Sequence, residues 1–149
     1  MHIYAAISIK NIHRIEEYKF HLRSMTFRDL IPLQNPLVRT WSSSNGQLLV
    51  ISLSISEPMC DAENIFFHDL NSNVVHLFDG WHVNGGDCRI QDLSNLFDAD
   101  ETHLTSKEFS LLGEFSYLRF CADGTGFSIR SSSGTYPIFF CETADVQVV

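Results

Sequence analysis

Between Leu48 and Ser56 the chain alternates: Ile51, Leu53 and Ile55 are interleaved with Ser52, Ser54 and Ser56. A period of two marks a strand with one face buried and one face polar. Such a strand needs neighbours, because its backbone donors and acceptors must be paired. The rest of the chain supplies them. Ile3 to Ile9, Leu37 to Trp41, Ile65 to His68, Val74 to Phe78, Phe115 to Ala122, Gly126 to Arg130 and Tyr136 to Glu142 all read as short strands. Turn-forming residues punctuate them at Ser42 to Gly46, at Asn71-Ser72-Asn73 and at Asp123-Gly124-Thr125, and the last two predict hairpins.

Helix is scarce. Ile15, Tyr18, Leu22 and Met25 recur at helical spacing, which predicts one amphipathic helix over Arg14 to Met25. Pro32 and Pro36 then hold the chain extended. Ile90 to Phe97 suits one or two helical turns, and Asp98 to Lys107 an acidic surface loop. The expected class is α+β, with two packed antiparallel sheets and few helices, in a single domain over residues 1–149. Twelve phenylalanines provide for a sizeable core. Phe115, Leu118, Phe120, Phe127, Ile129, Ile138 and Phe140 are its expected members.

A formal charge of -8 argues against nucleic acid or an anionic membrane as partner. No apolar run approaches the roughly 18 residues that cross a bilayer, and the N-terminus has no signal-peptide pattern. Cys60, Cys88, Cys121 and Cys141 are scattered without metal spacing, which suits free thiols in a reducing cytoplasm. His68, His76 and His82 near Asp79 invite a metal, but no ligand spacing supports one. Gly85-Gly86 follows a strand-like stretch and reads as a turn, so no cofactor is implied.

Three stretches carry a resemblance. The first is Gly113-Glu114-Phe115-Ser116, then Asp123-Gly124, then Arg130, Gly134, Pro137, Ile138, Phe139 and Phe140. The second is Ile51-Ser52-Leu53-Ser54 leading to Glu57-Pro58-Met59, and the third is Leu77-Phe78-Asp79-Gly80-Trp81-His82-Val83-Asn84. From Gln47 to Phe140 the chain resembles the glutamine-hydrolysing N-terminal domain of asparagine synthetases, a class II glutamine amidotransferase. The resemblance implies the N-terminal-nucleophile hydrolase fold, a four-layer αββα sandwich. It departs from the family at Ser131, where an Asp usually follows the Arg.

The family's chemistry needs a cysteine directly after the initiator methionine, a free α-amine as base, an Asn and a Gly amide for the oxyanion, and an Arg with an acidic residue for the substrate. Here the nucleophile position is His2, the oxyanion pair is Asp79 and Gly80, and the Arg position falls at Asn45, Gly46 and Gln47. Asn donates N–H groups to a developing oxyanion, whereas an ionised Asp only accepts. Asp79 is therefore expected to close a turn with Gly80 rather than to act in catalysis. Arg39 is near in sequence, with nothing to make it the missing Arg. The acidic ligand's region is shortened to Asp98, Asp100, Glu101 and Thr102. Cys60 is internal and has no α-amine of its own.

The expectation is a catalytically inactive amidotransferase-like domain, structural or docking in role, with no catalytic, cofactor or metal residues. Its partner would be an asparagine synthetase-like, ATP-dependent domain in cis or in trans, with self-association as a further outcome. Asparagine synthetase-like cyclases of lasso-peptide pathways are a related precedent for losing the cysteine. Trp81 is the expected docking anchor. Two other readings stand beside it: an active glutaminase with a rewired site that supplies ammonia to a synthetase domain, and a small-molecule or peptide-binding module in the former glutamine pocket.

Overall fold

The computed structural model describes residues 2–24, 37–54, 66–83, 112–130 and 137–149. Within them the side chains at 2, 22–24, 81–83 and 112–113 lie outside the description. Contacts divide the chain into two compact units. One comprises Met1–Cys60, Cys121–Thr125 and Phe139–Val149; the other comprises Asp61–Phe120 and Gly126–Ile138. Among the described residues each unit contains one antiparallel sheet, and the first also contains one α-helix. The expected α+β class, two antiparallel sheets with few helices, is what the chain forms.

The first unit holds β1 (His2–Ile9), β2 (Leu37–Ser42), β3 (Leu48–Ser54), β8 (Cys141–Glu142) and β9 (Val146–Val148), in the order β2-β3-β1-β9-β8. The β2–β3 hairpin turns through Ser43 to Gln47. There Asn45 accepts from the Gln47 amide at 3.0 Å, and the Leu48 amide donates to the Ser43 hydroxyl at 3.0 Å. Ile7, Ile51 and Leu53 form a buried apolar cluster with Ala5, Leu49, Val146 and Val148 packed against it. The alternation in β3 does not leave a solvent face: Ser52 and Ser54 are only 2% and 7% exposed. β3 is an interior strand buried on both faces, and a serine hydroxyl tolerates burial when it is hydrogen-bonded.

A single 3-10 turn (Ile12–Arg14) leads into α1 (Ile15–Ser24), with the Asn11 side chain accepting from the His13 amide at 3.2 Å. Glu16 and Glu17 sit in the first helical turn, where acidic groups suit the helix dipole. Arg14 joins Glu17 at 2.9 Å and Asp145 at 2.5 Å, tying this end of the helix to the β8–β9 turn. The expected last strand, Tyr136 to Glu142, shrinks to β8, and residues 137–140 have no regular structure. The terminal strand is β9, and Val149 exchanges two backbone hydrogen bonds with Ala6 at 2.8 and 2.9 Å. Three residues are too short to show a period of two, which is why the sequence did not declare β9.

The second unit holds β4 (Phe66–Asp69), β5 (Val74–Val83), β6 (Leu112–Phe120) and β7 (Gly126–Arg130), in the order β4-β5-β6-β7. Both expected hairpins form. Asp69 anchors the first turn by accepting from the Asn71 amide and the Ser72 hydroxyl. Asp123 anchors the second by accepting from the Thr125 amide at 2.8 Å and its hydroxyl at 2.7 Å. Of the expected core, Phe115, Leu118 and Phe120 are buried. Phe127 and Ile129 are half-buried, because β7 is a sheet edge. Ile138 is half-buried, and Phe140 is 58% exposed because it lies in the irregular segment before β8.

Candidate functional site

Strand β5 carries the residues on which a catalytic reading would depend, and it is longer than the sequence suggests. Asp79 and Gly80 do not close a turn. β5 runs through them in unbroken register with β6, from Val75 opposite Phe120 to Val83 opposite Leu112. Asp79 faces Ser116 across the ladder, and Gly80 faces Phe115. Gly80 has φ +121°, a region that side chains rarely adopt. A Cβ there would lie 2.2 Å from the Glu114 carbonyl oxygen and 2.6 Å from the Phe115 Cα. Close approach of two backbones accounts for this glycine without any catalytic role.

Asp79 is half-buried, and that burial raises its pKa; a backbone hydrogen bond from Gly80 opposes the rise. Ser116, opposite Asp79, is itself opposite Arg130, so the three positions form one row across β5, β6 and β7. Directly paired residues share a face of a sheet, and successive residues alternate. His76 therefore lies on the other face from Asp79. It is opposite Phe67 on one side and Arg119 on the other. His76 is 1% exposed, and its Nδ1 hydrogen-bonds the buried Tyr117 hydroxyl at 2.7 Å. The Phe67 and Tyr117 rings flank it at 5.7 and 6.1 Å between centroids.

This arrangement separates the histidines. His68 shares the Asp79 face and bonds Asn73 through Nε2 at 2.9 Å, while His76 points to the opposite face. The side chain of His82 lies outside the description. Among the described residues no group of three His, Cys, Asp or Glu could hold a metal ion. Cys121 is a half-buried free thiol, and Cys141 an exposed one.

In the other sheet His2 opens β1, paired with Ser54. Gln47 stands at the far end, where its carbonyl accepts from the Ile9 amide at 2.7 Å. Seven residue steps of extended strand separate His2 from Ile9, about 23 Å. The nucleophile position and the aligned substrate-Arg position are thus not brought together. The Gln47 side chain accepts from Asn45 Nδ2 at 2.8 Å, a bond local to the turn. Arg39 lies at the His2 end instead, opposite Ser52, which is opposite Tyr4. Sequence reasoning missed this row because it needs three strands in register, and no single strand reveals it. It missed the His76–Tyr117 pair for the same reason. Trp81 is placed only as a backbone position in β5, opposite Glu114; its side chain lies outside the description. Asp98, Asp100, Glu101, Thr102, Cys60 and Cys88 also lie outside the described residues.

Among the described residues, no helix is long and apolar enough to cross a membrane. Compared with known protein families, with curated proteins and with solved structures, the chain matches none.

Proposed function

We propose that this chain is a glutamine amidotransferase-like domain that does not hydrolyse glutamine and acts as a structural or docking domain. Its partner is an asparagine synthetase-like, ATP-dependent, amide-forming domain in cis or in trans, in a cytoplasmic setting. The reading carries with it the four-layer stacking of the N-terminal-nucleophile fold.

Asp79 is the observation that supports it most. An oxyanion needs a donor where Asp79 stands, and an ionised carboxyl offers only acceptors. Loss of one such donor costs about 100- to 1000-fold in rate, and a like charge adds to that. Further support comes from the roughly 23 Å between His2 and the Gln47 end of β1. Gly80 gives no contrary support, since its backbone contacts alone require glycine.

The test is ammonia release from glutamine, measured at pH 7 and at pH 5. The lower pH matters because a raised pKa favours the protonated carboxyl, which has one O–H donor. No release above a heat-killed control is expected at either pH, nor from His2→Cys, in which Asp79 and Gln47 persist. Release from the native chain overturns the reading. For the docking role, Trp81→Ala should weaken association with a synthetase partner and leave Tm nearly unchanged. A large fall in Tm would remove Trp81 as the anchor.

A further inference from the structure

The turn between β2 and β3 holds an Asn-Gly pair that the amidotransferase reading leaves unused. Asn45 is exposed, while Ser43 and Gly46 are buried. The Asn45 Oδ1 accepts from the Ser43 hydroxyl at 2.6 Å and from the Gln47 amide at 3.0 Å. A backbone amide only donates, which fixes the oxygen on this side of the side chain. Nδ2 then donates to Gln47 Oε1 at 2.8 Å and to the Asp123 carbonyl at 3.4 Å. Gly46 has φ +70°, and its amide donates to the Ser43 carbonyl at 2.9 Å. A Cβ on Gly46 would lie 2.8 Å from Lys19 Nζ, so an ammonium carried by α1 stands against this glycine.

We propose that Asn45-Gly46 is a site of spontaneous deamidation, promoted by the groups around this turn. The Gly46 nitrogen loses its proton to hydroxide and attacks the Asn45 Cγ. The Cγ–Nδ2 bond breaks, and Nδ2 takes a proton from water and leaves as ammonia. Water opens the resulting five-membered imide at either carbonyl, which leaves Asp or isoAsp at position 45. The net change consumes water and releases ammonia, and nothing is oxidised or reduced. Three features favour the attack. Glycine has no Cβ to crowd it. Two donors already sit on Oδ1, where the tetrahedral intermediate places its negative charge. The Lys19 charge favours the anionic nitrogen. The Gly46–Ser43 hydrogen bond opposes it, so the reaction proceeds when that one bond opens. The product alters the turn, because a carboxylate only accepts. Both Nδ2 bonds are lost, including the one that joins this turn to the Asp123 turn. The inference stands apart from the amidotransferase reading, since the ammonia comes from the chain itself and needs no glutamine.

The full chain is incubated without glutamine at mildly alkaline pH and followed over time by peptide mapping with mass spectrometry. Conversion of Asn45 to a mixture of Asp and isoAsp is expected, ahead of Asn11, Asn71 and Asn73, whose following residues carry a Cβ. Asn84-Gly85, outside the described residues, serves in the same digest as a reference Asn-Gly pair. Lys19→Gln keeps a good helix former in α1, so folding is preserved. It should slow Asn45 about threefold or more relative to Asn84, as expected of one unit charge about 5 Å away in water. Lys19→Arg, which keeps the charge, should not. Asn45→Asp, the sequence of one product, should lower Tm by about 2–4 °C. No conversion at Asn45, conversion to Asp without isoAsp, or a Lys19→Gln rate equal to the native one overturns the proposal. An Asn45→Asp variant as stable as the native chain overturns its structural consequence.

Discussion

Replacing Gly80 by alanine tests whether this glycine is structural. Two costs act together. The φ of +121° is a conformation that an L side chain rarely adopts, and such strain costs about 1–3 kcal/mol. The new Cβ also meets the Glu114 carbonyl oxygen at 2.2 Å and the Phe115 Cα at 2.6 Å. Both are backbone atoms of β6, so relief requires moving a strand rather than rotating a side chain. Overpacking of that kind costs about 1–3 kcal/mol. The total is about 2–6 kcal/mol. Gly124→Ala is the matched control. Gly124 also has positive φ, +88°, but its Cβ would meet nothing nearer than 3.8 Å. Only strain applies there, about 1–2 kcal/mol. Urea unfolding of the two variants isolates the backbone contact as their difference. In a melting experiment each kcal/mol appears as about 2–4 °C at this chain length. If the two variants lie within about 0.5 kcal/mol of each other, the close β5–β6 approach is not what holds glycine at position 80.

Three further predictions follow from the four-stranded sheet. Phe120 is 8% exposed and its ring lies against Gly126, so Phe120→Ala should cost about 3–5 kcal/mol in urea unfolding; a loss below about 1 kcal/mol would place the ring elsewhere. Tyr117→Phe removes the hydroxyl that His76 Nδ1 bonds at 2.7 Å, and should cost about 1–3 kcal/mol; a neutral result would mean that this pair adds nothing to stability. Asp79→Asn should stabilise the chain at pH 7, because burial raises the pKa of Asp79 and its ionised form therefore opposes folding. That gain should shrink as pH falls through the raised folded pKa and vanish below the unfolded value of about 3.9. A less stable Asn variant at pH 7, or a gap that ignores pH, would refute the assignment.

Most strands were legible because each has at least four residues and most are bounded by Pro, Gly, Asn, Asp or Ser. The failures share a cause. Asp79-Gly80 reads as a turn by composition, yet the register of β5 against β6 carries the chain straight through, and a single sequence does not contain that register. Ser52 and Ser54 read as a solvent face, since period two does not distinguish water from a second buried side. β9 carries too few residues to show any period. The candidate site was legible as residue types and not as geometry. His2 and Gln47 are near in the logic of the chemistry, but the antiparallel β1–β3 pairing puts them at opposite ends of one strand. That pairing puts Tyr4 opposite Ser52 and the β2–β3 pairing puts Arg39 on its other side, a row spread over positions 4, 39 and 52 that sequence proximity does not suggest.

Gly80 and Asp79 are adjacent yet carry different information. Any chain with β5 and β6 in this register needs glycine opposite Phe115, whether or not its amide holds an oxyanion. Asp79 is under no such demand from the backbone. Asparagine has nearly the same shape and would avoid the desolvation of a carboxyl group. A carboxyl that costs stability is either tolerated or used, and Asp79→Asn separates the two when association with the proposed synthetase partner is measured alongside stability. A stability gain at pH 7 with association unchanged means that the charge is tolerated. A gain accompanied by weaker association means that the carboxyl contributes to docking, and its burial cost is then offset in the complex rather than in the isolated chain.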